Sequence, residues 1–277
     1  MRNLILRAIT GTLFVTLLVF CILFSPLTFG FLFAVITAFA INEFGVLVNM
    51  REGIHVNRLL NAFSGVYLFL AFFTLFCLQA GDLSIFIPYL LLLLYMFIRE
   101  LYIKGSDALG NWAYSVLSQL YIALPFGLLC VMSSLTMGMY EMYNPILPLA
   151  VFVFIWCNDT GAYCVGCLIG KHRLFEHISP KKSWEGSAGG AVFALAAAWA
   201  MSHFFVFLNV WQWLGMAAVI VVFGTWGDLV ESLIKRQLGL KDSGNFLPGH
   251  GGLLDRFDST LLAVPAALLY LYIILSL

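Results

Sequence analysis

The sequence predicts an all-α polytopic membrane protein with about nine transmembrane helices. Hydrophobic residues make up 62% of the 277 residues and charged residues only 10%, whereas soluble domains contain about 45–50% apolar and about 25% charged residues. The mean hydropathy is +0.98. A formal net charge of zero excludes the basic excess expected of a nucleic-acid-binding protein. The abundance of aliphatic and aromatic residues excludes a disordered chain.

Apolar runs long enough to cross a bilayer follow one another along the chain. A spanning helix needs about 20 mostly apolar residues. Such runs occupy nine stretches: 4–24, 28–48, 59–79, 83–98, 112–136, 146–170, 187–208, 213–234 and 258–276. The first run has no small-residue cleavage site after it, so we interpret it as an uncleaved helix and not as a signal peptide.

The polar connections suggest how the chain is organised. We expect an N-terminal part, 1–145, of about five helices without an assigned role, and a C-terminal part, 146–277. The two longest polar loops, 171–186 and 235–257, both lie in the C-terminal part. Chemistry on substrates from water is therefore expected there. Two glycine pairs, Gly166 with Gly170 and Gly186 with Gly190, have the spacing that favours close helix packing.

The distribution of Lys and Arg predicts the orientation in the membrane. Short loops rich in these residues stay on the cytoplasmic side. If the N-terminus is cytoplasmic, all fourteen Lys and Arg residues fall in inner segments. We therefore expect a cytoplasmic N-terminus, an external C-terminus, and polar loops that face the cytoplasm.

Some carboxylates lie within the predicted spans or near their inner ends: Glu43, Asp159, Asp228 and Glu231. An Asp at the centre of a transmembrane helix costs roughly 2.5–3.5 kcal/mol, so it normally faces protein, a cavity or a partner. Glu43 is close to the inner end of its span, and we interpret it as an interfacial residue. Asp159 lies mid-helix. It is expected either to orient a lysine or serine or to bind a cation, and the sequence does not choose between these roles.

Paired acids at the last two predicted helices indicate a metal site. The same i,i+3 spacing, which places both carboxylates on one helical face, occurs twice. The four acids are Asp228, Glu231, Asp255 and Asp258. Like charges at this spacing repel unless a cation lies between them, and Mg²⁺ binds such oxygens together with substrate phosphates. The alternative is neutralisation by nearby basic residues: Lys235, Arg236 and Arg256.

Both polar loops carry candidates for binding a phosphorylated substrate. Basic side chains neutralise phosphate oxygens, and glycines let backbone N–H groups approach an anion closely. In the second loop the candidates are Lys235, Arg236, Lys241, Asp242, His250, Gly251, Gly252 and Arg256. In the first loop they are Ser179, Lys181, Lys182 and Ser183. This combination favours a polyphosphate, although the Walker A pattern is absent. Taken alone, His250 is more simply explained as a solvated loop residue.

Four motifs at fixed spacing resemble a known family. They are SLIKR at 232–236, KD at 241–242, LPGHGG at 247–252 and DRFD at 255–258. Together they resemble the signature of the phosphatidate cytidylyltransferases, also called CDP-diacylglycerol synthases. The segments NDTGAY and SPKKSWEG, at 158–163 and 179–186, also resemble motifs of that family. The resemblance covers about 156–258, and the first five helices match only in hydropathy.

The resemblance implies an enzyme of phospholipid biosynthesis that condenses CTP with phosphatidate to give CDP-diacylglycerol and pyrophosphate. It implies a multi-pass homodimer in the bilayer of the cell inner (plasma) membrane, with an active site that faces the cytoplasm. It also implies Mg²⁺ as cofactor and leaves a second cation open. Carried onto this sequence, Asp228 and Asp255 are the metal-binding acids, with Glu231 and Asp258 as further candidates. The lipid phosphate would attack the α-phosphate of CTP, with metal assistance.

Two other classes of function compete with this interpretation. An ion- or proton-coupled transporter also needs acids inside the membrane, but matching halves with broken helices are not visible in the hydropathy. A CDP-alcohol phosphotransferase would carry a D-G-x-x-A-R motif, which the sequence lacks. A purely structural membrane protein would not explain a glycine-rich loop with this many charges.

Overall fold

The computed structural model describes residues 2–105, 107–135, 143–240 and 252–276. Its α-helices are α1 (Arg2–Phe24), α2 (Pro26–Val48), α3 (Arg58–Phe72), α4 (Ile87–Glu100), α5 (Ala108–Ser118), α6 (Leu124–Ser133), α7 (Ile146–Ile169), α8 (Trp184–Phe204), α9 (Val210–Gln237) and α10 (Leu254–Ser276). Two π-helical turns, Phe73–Cys77 and Gln119–Ala123, extend α3 and join α5 to α6. A 3₁₀ turn, Leu83–Phe86, precedes α4.

The apolar runs predicted from the sequence correspond to these helices. In the described part of the chain, eight helical segments are long and apolar enough to cross a membrane, and α1 adds a shorter apolar stretch over Ile9–Phe24. The all-α polytopic class is therefore confirmed.

The polar connection 171–186 contains regular structure that the sequence analysis did not predict. Two short antiparallel strands lie there, β1 (Arg173–Phe175) and β2 (Ser179–Ser183). The hydroxyl oxygen of Ser183 accepts the backbone N–H of Gly186 at 3.1 Å, and this N-cap starts α8 three residues before the predicted position.

The predicted bounds of the loop 235–257 were also too wide. Helix α9 continues to Gln237, so Lys235 and Arg236 lie in its last turn, where positive charge is favourable against the helix dipole. Helix α10 begins at Leu254 and not at 258. Leu253 and Leu254, at its start, are buried, with 5% and 1% of their surface exposed.

The chain forms two compact units, which we describe separately. The first comprises Met1–Leu135 and Leu238–Arg256, and the second comprises Thr136–Gln237 and Phe257–Leu277. Phenylalanines fill the interior of the first unit. The rings of Phe33 and Phe126, both fully buried, lie 5.8 Å apart between centroids. Gly127 allows the ring of Phe72 to approach α6, since a Cβ on this glycine would meet that ring at 2.6 Å.

A buried polar network joins α4, α5 and the segment before α3 in the first unit. The side chain of Asn111, only 1% exposed, donates to Oε2 of Glu100 at 2.8 Å and accepts from the backbone N–H of His55 at 2.7 Å. The guanidinium of Arg99 donates to the other oxygen of Glu100 at 2.7 Å. Asn111 thus satisfies a carboxylate and a backbone N–H at once.

In the second unit, small residues let α8 pack directly on α7. The buried residues of α8 recur every four positions: Gly186, Gly190, Ala194, Ala198 and Ser202. A Cβ on Gly190 would lie 2.5 Å from the carbonyl oxygen of Asn158, and one on Gly186 would lie 2.9 Å from that of Ala162. The predicted packing role of this glycine pair is therefore confirmed.

Replacement of Asn111 tests the polar network. Asn111→Ala removes both hydrogen bonds and leaves buried polar groups without a partner, which costs about 1–3 kcal/mol of stability for each group. We expect a lower thermal midpoint for the purified protein in detergent. Leu109→Ala, at a position on α5 that is 74% exposed, is the control and should leave the midpoint unchanged. Equal midpoints for both variants would contradict a stabilising role for the network.

Candidate active site

The second unit contains a cavity of about 500 Å³. This volume lies within the range of about 300–1,000 Å³ that is usual for small-molecule sites. The wall is formed by α7, the β-hairpin, the start of α8, α9 and α10. Its lining residues are Asn158, Asp159, Ala162, Tyr163, Gly166, Cys167, Arg173, Lys181, Lys182, Ser183, Gly186, Ser187, Thr225, Asp228 and Ser259.

Charged residues of both signs line this cavity. Three bases, Arg173, Lys181 and Lys182, face two acids, Asp159 and Asp228. The formal balance is +1, from three positive and two negative groups. A wall of this kind can neutralise phosphate oxygens with its bases, while its carboxylates offer oxygen ligands to a cation.

An ion pair between the hairpin and α9 is the central contact of the cavity. Nζ of Lys182 lies 2.5 Å from Oδ2 of Asp228, and both side chains are partly exposed, at 26% and 30%. The hydroxyl of Ser232 donates to the other oxygen of Asp228 at 3.2 Å. The Asp228 carboxylate is therefore held from two directions.

Two further acids interact electrostatically with this ion pair. Asp159 on α7 is repelled by Asp228 and attracted by Lys182. Asp258 on α10 is repelled by both Asp228 and Asp159, and its Oδ1 accepts the backbone N–H of Ser259 at 2.5 Å. The charges of these three carboxylates, which come from three helices, therefore act on one another and on Lys182.

The β-hairpin is anchored at its base and at its turn. Nδ1 of His172 lies 2.5 Å from Oε1 of Glu185, and the same carboxylate accepts the backbone N–H groups of Lys171 and His172 at 3.1 and 3.2 Å. At the turn, Nε of Arg236 donates to the carbonyl oxygen of Ile178 at 3.5 Å. These contacts place the lysines of β2 at the cavity.

The predicted pair Asp228 and Glu231 separates on α9. Glu231 is buried, with 1% of its surface exposed, and its Oε2 lies 2.5 Å from Nζ of Lys235. It is absent from the cavity wall. For Glu231 the structure therefore has the ion pairing that the sequence analysis left as the alternative.

The remaining predicted residues lie elsewhere in the chain. Ser179 opens β2 and is not among the lining residues of the described cavity. In the first unit, Oδ2 of Asp255 accepts the backbone N–H of Gly252 at 2.9 Å, and Arg256 is exposed. Four candidates lie outside the described residues: Lys241, Asp242, His250 and Gly251.

The chemistry of the donor set fits Mg²⁺. Within the described ranges, no group of three or more His, Cys, Asp or Glu side chains is placed so that it could hold a metal ion. Two carboxylates of the cavity wall, those of Asp159 and Asp228, offer the hard oxygen ligands that Mg²⁺ prefers.

Several lining residues were not singled out from the sequence. Arg173 belongs to the basic loop, and its charge alone could have indicated it. Asn158 is only 6% exposed, and its Oδ1 has no hydrogen-bond partner among the described residues. Thr225 and Ser259 carried no signal, because lone hydroxyl residues are common in membrane helices.

The close contact of α7 and α8 gives a test of the cavity wall. Gly190→Leu inserts a side chain where even a Cβ would lie 2.5 Å from the Asn158 carbonyl oxygen, so we expect separation of the helices and a clear loss of thermal stability. Ala188→Leu adds the same side chain at an exposed position of α8 and serves as control. Similar midpoints for the two variants would refute the packing described here.

Comparison with known proteins gives a consistent result. The phosphatidate cytidylyltransferase of Staphylococcus aureus is 44% identical over 161 residues, which covers 55% of this chain and 62% of that protein. The protein of the same name from Staphylococcus haemolyticus is 42% identical over 161 residues, with the same coverage. That from Staphylococcus epidermidis is 39% identical over 178 residues, or 61% of this chain and 68% of that protein.

The matches to the first two of these relatives span about three fifths of their length. A family model described as "Cytidylyltransferase family" matches residues 5–274, nearly the whole chain. The chain belongs to the cytidylyltransferase family.

Proposed function

We propose that this protein is a CTP:phosphatidate cytidylyltransferase, a nucleotidyltransferase that forms CDP-diacylglycerol and pyrophosphate. The observation that carries the proposal is the cavity in which Lys182 pairs with Asp228 beside Arg173, Lys181 and Asp159. Membership of the family and the names of the relatives support the substrates.

In the proposed reaction, an oxygen of the lipid phosphate forms a bond to the α-phosphorus of CTP. The bond between this phosphorus and the bridging oxygen breaks, and pyrophosphate leaves with that electron pair. A phosphate monoester has a second pKa near ~6, so the attacking oxygen is largely anionic at pH 7 and needs no general base. The main barrier is the approach of two anions, so positioning and charge neutralisation should dominate catalysis.

The bases of the cavity suit this task. Arg173 and Lys181 would hold phosphate oxygens, and Lys182 would pass from Asp228 to a phosphate when substrate binds. Lys235, Arg236, Lys241 and Arg256 remain predicted phosphate-neutralising residues. Asp242, His250, Gly251 and Gly252 remain predicted substrate-binding residues, as do Ser179 and Ser183.

Mg²⁺, when bound, would offset the negative charge of the triphosphate. Asp228 is the proposed metal ligand from the cavity wall. The carboxylates of Asp159 and Asp258 interact electrostatically with that of Asp228. Asp255 keeps its predicted assignment from the sequence, whereas Glu231, which pairs with Lys235, is given no metal-binding role in this proposal.

The same proposal includes a homodimer in the plasma membrane with the polar loops on the cytoplasmic side. The multi-pass helices and the bacterial relatives support a membrane location. The orientation rests on the distribution of Lys and Arg.

Turnover by the purified protein tests the chemistry. With labelled CTP, phosphatidate and Mg²⁺, lipid-soluble label should form only when phosphatidate is present. Asp228→Asn and Lys182→Met should each lower kcat by about 10²–10³-fold, the usual effect of removing a group that stabilises charge in a transition state. Lys104→Met, at an exposed base of the first unit, should retain wild-type turnover. Full activity of the Asp228 variant would remove that residue from the mechanism.

Labelling in intact cells tests the orientation. In a background without Cys164 and Cys167, which are exposed, we expect a membrane-impermeant maleimide to modify Asp82→Cys directly. Lys104→Cys should react only after permeabilisation, because the positive-inside rule places it in the cytoplasm. The reverse pattern would invert the proposed topology.

A further inference from the structure

Glu43 contacts the first turn of the last helix. Its Oε2 accepts the backbone N–H of Leu254 at 2.7 Å, and both residues belong to the first unit. Glu43 is half-buried, five residues before the end of α2 at Val48, or about 7.5 Å along the axis. The contact joins positions 211 residues apart in the sequence.

The contact supplies an acceptor for a backbone N–H in the first turn of α10. The first N–H groups of a helix have no partner within the helix. Leu254 is only 1% exposed, so it is almost entirely shielded from solvent. An unsatisfied N–H in such a place is unfavourable. A carboxylate is the strongest acceptor for it, since the bond is charge-assisted and the negative charge lies at the positive end of the helix dipole.

The same turn carries Asp255. Its Oδ2 accepts the N–H of Gly252 at 2.9 Å, and the N–H of Arg256 donates to the carbonyl oxygen of Leu253 at 3.0 Å. The turn is thus fixed by a carboxylate of α2 on one residue and by its own carboxylate on another. Any shift at Leu254 would change the direction of the next side chain, Asp255.

We propose that Glu43 is a positioning residue, which fixes the first turn of α10 and thereby aims the carboxylate of Asp255. The inference rests on the proposed function, because it assumes that Asp255 acts in the reaction. It replaces the interpretation of Glu43 as a merely interfacial residue. It also gives the N-terminal helices a part in the chemistry.

Two substitutions at Glu43 separate the hydrogen bond from the charge. Glu43→Gln keeps an acceptor oxygen in the same place, whereas Glu43→Leu removes it. Glu52→Leu is the matched control, because Glu52 is an exposed carboxylate that follows α2 in the same unit. The first measurement is hydrogen exchange of the amides at 252–257 in detergent, without Mg²⁺ or CTP. The second is kcat and the half-saturating Mg²⁺ concentration.

For Glu43→Leu we expect exchange at 252–257 to be faster by about tenfold, since the local opening becomes easier. Its kcat should fall and its half-saturating Mg²⁺ concentration should rise. Glu43→Gln should rescue most of both effects, and Glu52→Leu should match the wild type.

The proposal is overturned if Glu43→Leu keeps wild-type exchange at 252–257. It is also overturned if exchange rises equally along the whole chain while the Mg²⁺ dependence is unchanged, because Glu43 would then serve general stability. If the wild-type protein transfers no label from CTP with any cation, the proposed function fails. The exchange measurement still decides whether Glu43 anchors α10.

Discussion

The ion pair between Lys182 and Asp228 is the contact on which the candidate site depends. A charge inside a membrane protein is costly unless another charge or a dipole compensates it. Lys182 compensates Asp228 directly and lowers the repulsion that Asp159 and Asp258 experience. Such a pair adds little net stability, because removing two charges from water offsets most of their attraction. Its value for a site that binds phosphates and cations is that each partner can be replaced by a ligand. A phosphate can take the place of Asp228 beside Lys182, and a cation can take the place of Lys182 beside Asp228.

The rest of the second unit holds the two partners at that distance. Lys182 lies on a strand, and the short hairpin that carries it is fixed by Glu185 at its base and by Arg236 at its turn. Asp228 lies on α9, where Ser232 orients its second oxygen. The small residues of α8 allow α7, with Asp159, to approach closely. The hairpin, the hydrogen bond from Ser232 and the close packing of α8 on α7 therefore all contribute to one arrangement of charges.

Most of the helical fold follows from the sequence, because apolar runs of sufficient length have few alternatives in a bilayer. The errors fall where polar residues decide the boundary. The hairpin was missed since its strands have only three and five residues and β2, with the sequence SPKKS, has no apolar alternation. The extension of α9 to Gln237 was missed because charged residues in a last turn resemble a loop.

Some residues of the candidate site could be predicted individually, but their tertiary contacts could not. Asp159, Lys182 and Asp228 were each candidates, yet the pairing of a base with an acid 46 positions later depends on tertiary packing. The contacts of Glu231 with Lys235 and of Asp228 with Ser232 were open to local reasoning, because i,i+4 neighbours face each other on a helix.

The carboxylates near the inner ends of the helices differ in what compensates their charge, and this difference separates their roles. Asp228 and Glu231 share an i,i+3 spacing, but their directions on α9 differ by about 60°. One therefore faces the cavity beside Lys182, while the other is buried against Lys235. Glu43 accepts a backbone N–H of the first turn of α10. A carboxylate paired to a lysine at a cavity can exchange its partner, whereas one bonded to a helix N-terminus must stay for the helix to keep its place. The spacing of acids in the sequence identifies the candidates, and the nature of each partner distinguishes ligand from anchor.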